Sequence, residues 1–336
     1  MTDTKKRGMI VLFAAILVVG LFLSFFLGKY PISPKELFGI VAGQFTDIEP
    51  FWSDKQEHIF WAIRLPRILL ACLVGAALAT AGAVYQGVFE NPMAAPDFLG
   101  ASSGAGFGAA LAIYMNMGNA MITVFAFAAS LLTIWLVYII GNRTRSNKTV
   151  GLVLAGLMVS ALFQAGTSFI KLVADQSNQL PEITYWLMGS LTSTNTEDLR
   201  FAFVAILIGT VPLLFLRWKI NVLTMGDAEA TSMGVNVGRV RFLSLICATL
   251  VTAASVSVSG MIGWVGLIVP HFARKIIGNN YKFLLPASII LGALFLLIVD
   301  GVARNVFAVE VPIGILTAVI GAPFFIYLIT RGGEVR

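Results

Sequence analysis

The chain has 336 residues, 58% of them apolar and 12% charged, with a formal net charge of +6. No soluble chain of this length needs so much apolar surface, which excludes a soluble enzyme or binding domain and leaves a polytopic all-α membrane protein. The positive charge does not point to nucleic acid, because Lys and Arg sit in short loops between apolar runs, as the positive-inside bias predicts.

The chain begins MTDTKKRGMIVLFAAILVVGLFLSFFLGKYP. A basic start followed by an apolar run resembles a signal peptide, but the run is too long and no small-residue cleavage site follows. It reads as a retained first span with the N-terminus inside. About twenty apolar residues at 1.5 Å each cross the hydrocarbon core. On that measure spans are expected at roughly 9–28, 67–89, 98–116, 119–141, 149–170, 199–217, 240–259, 262–278, 283–302 and 311–330. The expectation is therefore one transmembrane domain of about ten helices with both termini on the same side. Arg143, Arg145, Lys148, Arg217, Lys219, Arg239, Arg241, Arg274, Lys275 and Lys282 then fall on the side of the N-terminus. Residues 29–60 and 171–198 form longer outer segments, the second reading as an interfacial helix with Tyr185 and Trp186 at headgroup depth.

Cys72 and Cys247 lie inside apolar segments and read as packing residues. His58 and His271 lack metal-ligand spacing, and there is no G-x-x-x-x-G-K-[ST] phosphate loop. Gly75, Ala79 and Ala83, and again Gly100, Gly104 and Gly108, recur at i, i+4, i+8, which lets helix backbones approach closely. The centres of the spans carry no ionisable residue, against an ion-coupled pathway.

Three arginines run against the charge bias. Arg64 and Arg67 flank a proline in RLPR at a helix start, and Arg304 follows Asp300 by one turn. They suit headgroup contact or the capture of carboxylates by guanidinium forks. On the inner side, GDAEATSMGV (226–235) predicts a short helix with Asp227 as N-cap and Gly234 as its stop. Too polar to insert and too short to stand alone, it is either a loop helix on the bilayer face or a contact for a partner.

Several segments together resemble one family. RLPR, GAALATAGAVYQGVFENPMAAPDFLGASSGAG, YWLMGSL, GDAEATSMGV, GMIGWVGLIVPHFAR, LPAS, DGVAR and PIGILTAVIGAPFFIYL are similar to the FecCD permeases of ABC importers, from about residue 60 to the C-terminus. Such permeases carry iron–siderophores, haem, cobalamin or in a few cases oxyanions. The resemblance implies a type II permease in a bacterial or archaeal cytoplasmic membrane, paired with a second permease, identical or different. It implies two ABC ATPase subunits that bind ATP and Mg²⁺, with no cofactor on this chain, and an extracytoplasmic substrate-binding protein. Residues 226–238 match the element that couples to the ATPase, with Gly226, Asp227, Glu229, Ala230, Met233 and Gly234 in its motif. Arg64, Arg67 and Arg304 match arginines that grip the binding protein. Asn91 and Met93, with Thr149 and Val150, match the inner gate. After YWLMGSL the chain reads TSTNTEDL, where relatives often have small residues followed by a tryptophan. A metal-chelate importer, first of all for a ferric siderophore, is the expectation; an ion-coupled secondary transporter is the alternative.

Overall fold

In the computed structural model the described residues are 2–46, 48–143, 148–306 and 308–331. Arg145, which entered the expected charge bias, and the side chains of Lys148 and Thr149 lie outside what is described. Every regular element among the described residues is helical. Seven helical segments are long and apolar enough to cross a bilayer. They are α1 (Asp3–Phe26), a run from α3 (Asp54–His58) through a π turn (Ile59–Arg64) into α4 (Leu65–Val88), α6 (Asn119–Asn142), α7 (Lys148–Val173), α9 (Thr196–Leu223), α11 (Val237–Ser259) and α13 (Tyr281–Asn305).

These account for seven of the ten expected spans. The other three apolar segments are helical too: α5 (Ala101–Tyr114) and α12 (Val265–Ile277) are shorter than these seven, and α14 runs over Ile313–Arg331. Backbone chemistry shortens two of them. Before α5 the chain makes a 3₁₀ turn at Pro96–Leu99 and then a left-handed residue, Gly100 at φ 76°, a region glycine enters without a Cβ penalty. Before α12, Gly260 (φ 66°) and Trp264 (φ 70°) are also left-handed, so the helix starts only at Val265. Polar helices lie between: α2 (Pro34–Ala42), α8 (Gln179–Leu187) in the expected interfacial segment, and α10 (Asp227–Ser232) in the expected inner loop.

The core is built around α4, which is buried along most of its length. It meets α13 where Gly75 faces Gly292, each so close that a Cβ on one would strike the carbonyl of the other. It meets α12 where a Cβ on Gly82 would strike the Gly266 carbonyl. Against α11, the Tyr85 hydroxyl shares a 2.6 Å hydrogen bond with the Thr249 hydroxyl. Gly104 and Gly108 put α5 against Thr133, Ala129 and Phe125 of α6. Close backbone approach brings many weak dispersion contacts together, the main attraction between helices surrounded by lipid. Elsewhere the chain turns large apolar side chains outward, such as Val19 on α1, Leu162 on α7 and Phe215 on α9, the last 83% exposed. These faces need lipid or another subunit to cover them.

Candidate functional site

Among the described residues, the fully buried charged side chains are Arg64, Arg67, Asp300 and Arg304, all at one end of the bundle. Asp300 on α13 is at their centre with no exposed surface. Arg67 Nε donates to one of its oxygens at 3.0 Å, and Arg304 Nε lies 2.9 Å from the other. The second contact is a charge pair without aligned hydrogen-bond geometry. Arg67 Nη1 also donates to Glu310 at 3.0 Å, and Arg304 Nη2 to the Ser24 hydroxyl of α1 at 3.0 Å. Arg64 donates to the carbonyls of Phe25 and Tyr30 at 2.8 and 2.7 Å.

In this structure the three guanidiniums turn inward rather than toward solvent. A buried charge must be paired and hydrogen-bonded, and here the partners come from the chain itself. Arg64 ties α1 to α4, while Arg67 and Arg304 tie α4, α13 and the loop after α13. Glu310, on that loop, is the member nearest solvent; its side chain also accepts from Thr192 at 2.9 Å. Burial works against its charge, but Arg67 beside it, with the hydrogen bonds and Lys29, holds its carboxyl below the usual value. Asp300 was legible in the sequence as the i−4 neighbour of Arg304. Glu310 was not, since no local pattern links it to residue 67.

At the opposite end, α10 projects from between α9 and α11. Gly226 enters it at φ 108° and Gly234 leaves it at φ 78°, conformations that glycine adopts without strain. Asp227 does not cap it. Gly226 is the N-cap residue and Asp227 the first helical residue, and the Asp227 carboxylate is engaged elsewhere. Arg241 of α11 grips it with both terminal nitrogens, at 2.8 and 3.2 Å. The same guanidinium reaches Glu90, in the loop after α4, at 3.9 Å. Ala230 and Val235 are buried beneath the helix. Met225, Asp227, Glu229 and Met233 face outward, both methionines at least half exposed. A mixed apolar and acidic surface on a rigidly tethered turn is fitted for a protein partner.

Asn91 and Met93 occupy an exposed loop beside this tether. The Asn91 side chain accepts from the Met93 backbone at 2.8 Å, and Glu90 takes φ 51°. Val150 lies in the first turn of α7 and is about half exposed; the Thr149 backbone is in the same turn. The loop and α7 are linked through the Pro96–Leu99 turn, which packs on α7. Behind the loop a cavity of about 520 Å³ is lined by Gln86, Glu90, Asn91, His271, Arg274 and Lys275, among others. Its floor is a hydrogen-bonded set absent from the sequence expectations. Arg274 donates to Gln86 and Tyr281, and Tyr281 donates to the Ala83 carbonyl. Among the described residues no cluster of His, Cys, Asp or Glu could hold a metal.

An α-helical bundle with small-residue contacts and, among the described residues, buried charge at one end and a tethered helix at the other has the build of a polytopic membrane protein. A family model, the FecCD transport family, matches residues 16–331. The molybdate import permease MolB of Haemophilus influenzae is 38% identical over 323 residues, 95% of each chain. An iron chelatin transport permease of Helicobacter pylori is 43% identical over 274 residues, covering 81% of this chain and 82% of its own. The cobalamin import permease BtuC of Halobacterium salinarum is 44% identical over 281 residues, 83% of this chain and 75% of its own. Among solved structures, the inward-facing conformation of a metal-chelate type ABC transporter superposes with a TM-score of 0.86 at 35% identity, over 97% of this chain and 99% of the other.

The chain belongs to the FecCD transport family. It is an ABC-importer permease, a transport component and not an enzyme.

Proposed function

We propose that the chain carries a metal chelate, first of all a ferric siderophore, from an extracytoplasmic binding protein to the cytoplasm, driven by two separate ATPase subunits beneath a permease dimer. Haem and cobalamin come next as cargo, and the molybdate relative adds an oxyanion to the candidates. The observation that carries the reading is α10. Its position is set by Arg241, which joins it to α11 and to the loop of Asn91 and Met93 through Asp227 and Glu90. A push on Met225, Glu229 or Met233 from below is thereby transmitted to the inner closure. In this reading Gly226 and Gly234 shape the entry and exit of α10, and Asn91, Met93, Thr149 and Val150 line the inner gate. The outer end built on Arg64, Arg67 and Arg304 receives the binding protein.

Among the described residues the buried charges are all at one end and the polar groups buried along the helices are uncharged, which counts against an ion-coupled carrier. The test is uptake by proteoliposomes holding the permease, its ATPase and its binding protein, offered ferric siderophore, haem, cobalamin or molybdate. The expected result is uptake of the siderophore that needs internal ATP and survives collapse of ion gradients. Gradient-driven uptake by the chain alone would overturn the reading.

A further inference from the structure

We propose that the groove between α6 and α11 is a binding site for one anionic phospholipid, its acyl chain in the groove and its phosphate between Arg143 and Arg239. The groove is a cavity of about 460 Å³. Leu131, Trp135 and Tyr138 line it from α6, and Phe242, Ile246 and Leu250 from α11. Its floor is closed by buried Val137, Leu152 and Leu245, so it is a furrow in the outer surface and not part of a passage through the bundle. Lined almost wholly by hydrocarbon, it offers a polar cargo no grip, whereas an acyl chain fits it.

Length and charge select the occupant. On α11 the groove and its mouth run from Arg239 to Leu250, about 16 Å at 1.5 Å per residue. That is half of the roughly 30 Å hydrocarbon core, the depth of one leaflet. At the mouth the Tyr138 and Phe242 rings lie 4.9 Å apart, as aromatic side chains do near the headgroups. Arg239 precedes Phe242 by three residues and Arg143 follows Ile139 by four, so each lies on the groove side of its helix. Both are exposed, and among the described residues neither forms an ion pair, unlike Arg241 nearby. Two free guanidiniums above an apolar slot suit a phosphate with an acyl chain beneath it. This is the end of the bundle that bears α10, so the lipid would brace α11 and hence the tether of Arg241. The site does not depend on the identity of the cargo.

The test is native mass spectrometry of the full chain purified in detergent, titrated with phosphatidylglycerol or phosphatidylcholine of the same acyl chains. One phosphatidylglycerol retained per chain, at least tenfold tighter than phosphatidylcholine, is the expected result. Each basic residue near a lipid surface contributes about fivefold, so Arg143→Gln with Arg239→Gln removes about thirtyfold of the preference. Ile246→Trp, at a half-exposed position, fills the slot and abolishes retention of both lipids while the thermal unfolding curve stays in place. Equal affinity for the two lipids, a preference that survives the double substitution, retention by Ile246→Trp, or a polypeptide found in the groove would each overturn the proposal.

Discussion

Arg241 grips Asp227 through both terminal nitrogens, at 2.8 and 3.2 Å, so the first turn of α10 and the first turns of α11 move as one piece. The pair is part-exposed, with Asp227 more than half open to solvent. Such a pair contributes at most about 1 kcal/mol to stability, yet it fixes a direction. Asp227→Asn is expected to leave the melting temperature within about 2 °C of wild type, as a loss under 1 kcal/mol implies. It is also expected to weaken ATPase-coupled uptake severalfold. Membrane yield, thermal unfolding and uptake with the ATPase present check this together. Full coupling in Asp227→Asn would detach the tether from the mechanism.

The outward face of α10 makes a separate prediction. Glu229 and Met233 are exposed, and Glu229 has no acid-base partner among the described residues. Glu229→Arg with Met233→Asp should leave the permease folded but lower its affinity for the ATPase subunit by tenfold or more, a loss of about 1.4 kcal/mol. A pull-down from detergent reads it. Unchanged assembly would exclude α10 as the contact.

Where glycines meet backbone to backbone, the expected effect is on folding. A Cβ at Gly292 would overlap the Gly75 carbonyl, and one at Gly82 the Gly266 carbonyl. Backbone cannot swing away as a side chain does, so Gly292→Val or Gly82→Val should cost at least the 1–3 kcal/mol typical of overpacking. Gly301→Ala, on the same helix as Gly292 with open space beside it, should be neutral or slightly stabilising. Detergent stability of the three variants gives the comparison.

Some of this was legible in the chain and some was not, for physical reasons. Hydropathy located every long helix because crossing a bilayer demands length and apolarity, both local properties. It overestimated α5 and α12, because left-handed residues such as Trp264 cut them short and hydropathy carries no information about φ. The helix in GDAEATSMGV was readable from its glycines and acids. The role of Asp227 was misread, since its partner Arg241 is fourteen residues away and a capping rule looks only three ahead. The outer arginines were found as exceptions to the charge bias. Their burial was not foreseen, because Arg67 finds Glu310 only after α4 and α13 have packed through Gly75 and Gly292.

Asp300 is shared by two buried guanidiniums, which makes its removal costly. Asp300→Asn keeps the volume but leaves Arg67 and Arg304 without their common anion. Breaking a buried pair in this way costs about 3–5 kcal/mol. The permease is expected to lose most of its folded yield, or to unfold far below wild type in a thermal scan. A near-wild-type curve would mean that water already reaches the cluster.

Glu310 joins the outer cluster to solvent, and its pH dependence can be worked out with sign. Its carboxyl is held below the ordinary 4.5, so the unfolded chain takes up a proton more readily than the folded one. Stability from the Arg67–Glu310 contact is therefore fully present above pH 4.5 and is lost as pH falls through the lower folded value. Because the side chain is partly exposed, solvent screening limits the contribution to about 1 kcal/mol. Glu310→Gln should lose that amount at neutral pH. Its stability should then fall less steeply than wild type on acidification, the two curves converging once pH falls below the folded value. The difference between them isolates Glu310 from every other titrating carboxylate. If an acidic partner docks at this end and competes for Arg67, Glu310→Gln should also raise its affinity while Arg67→Gln lowers it. A partner affinity unmoved by either substitution would assign the outer arginines to holding α1, α4 and α13 together and to nothing more.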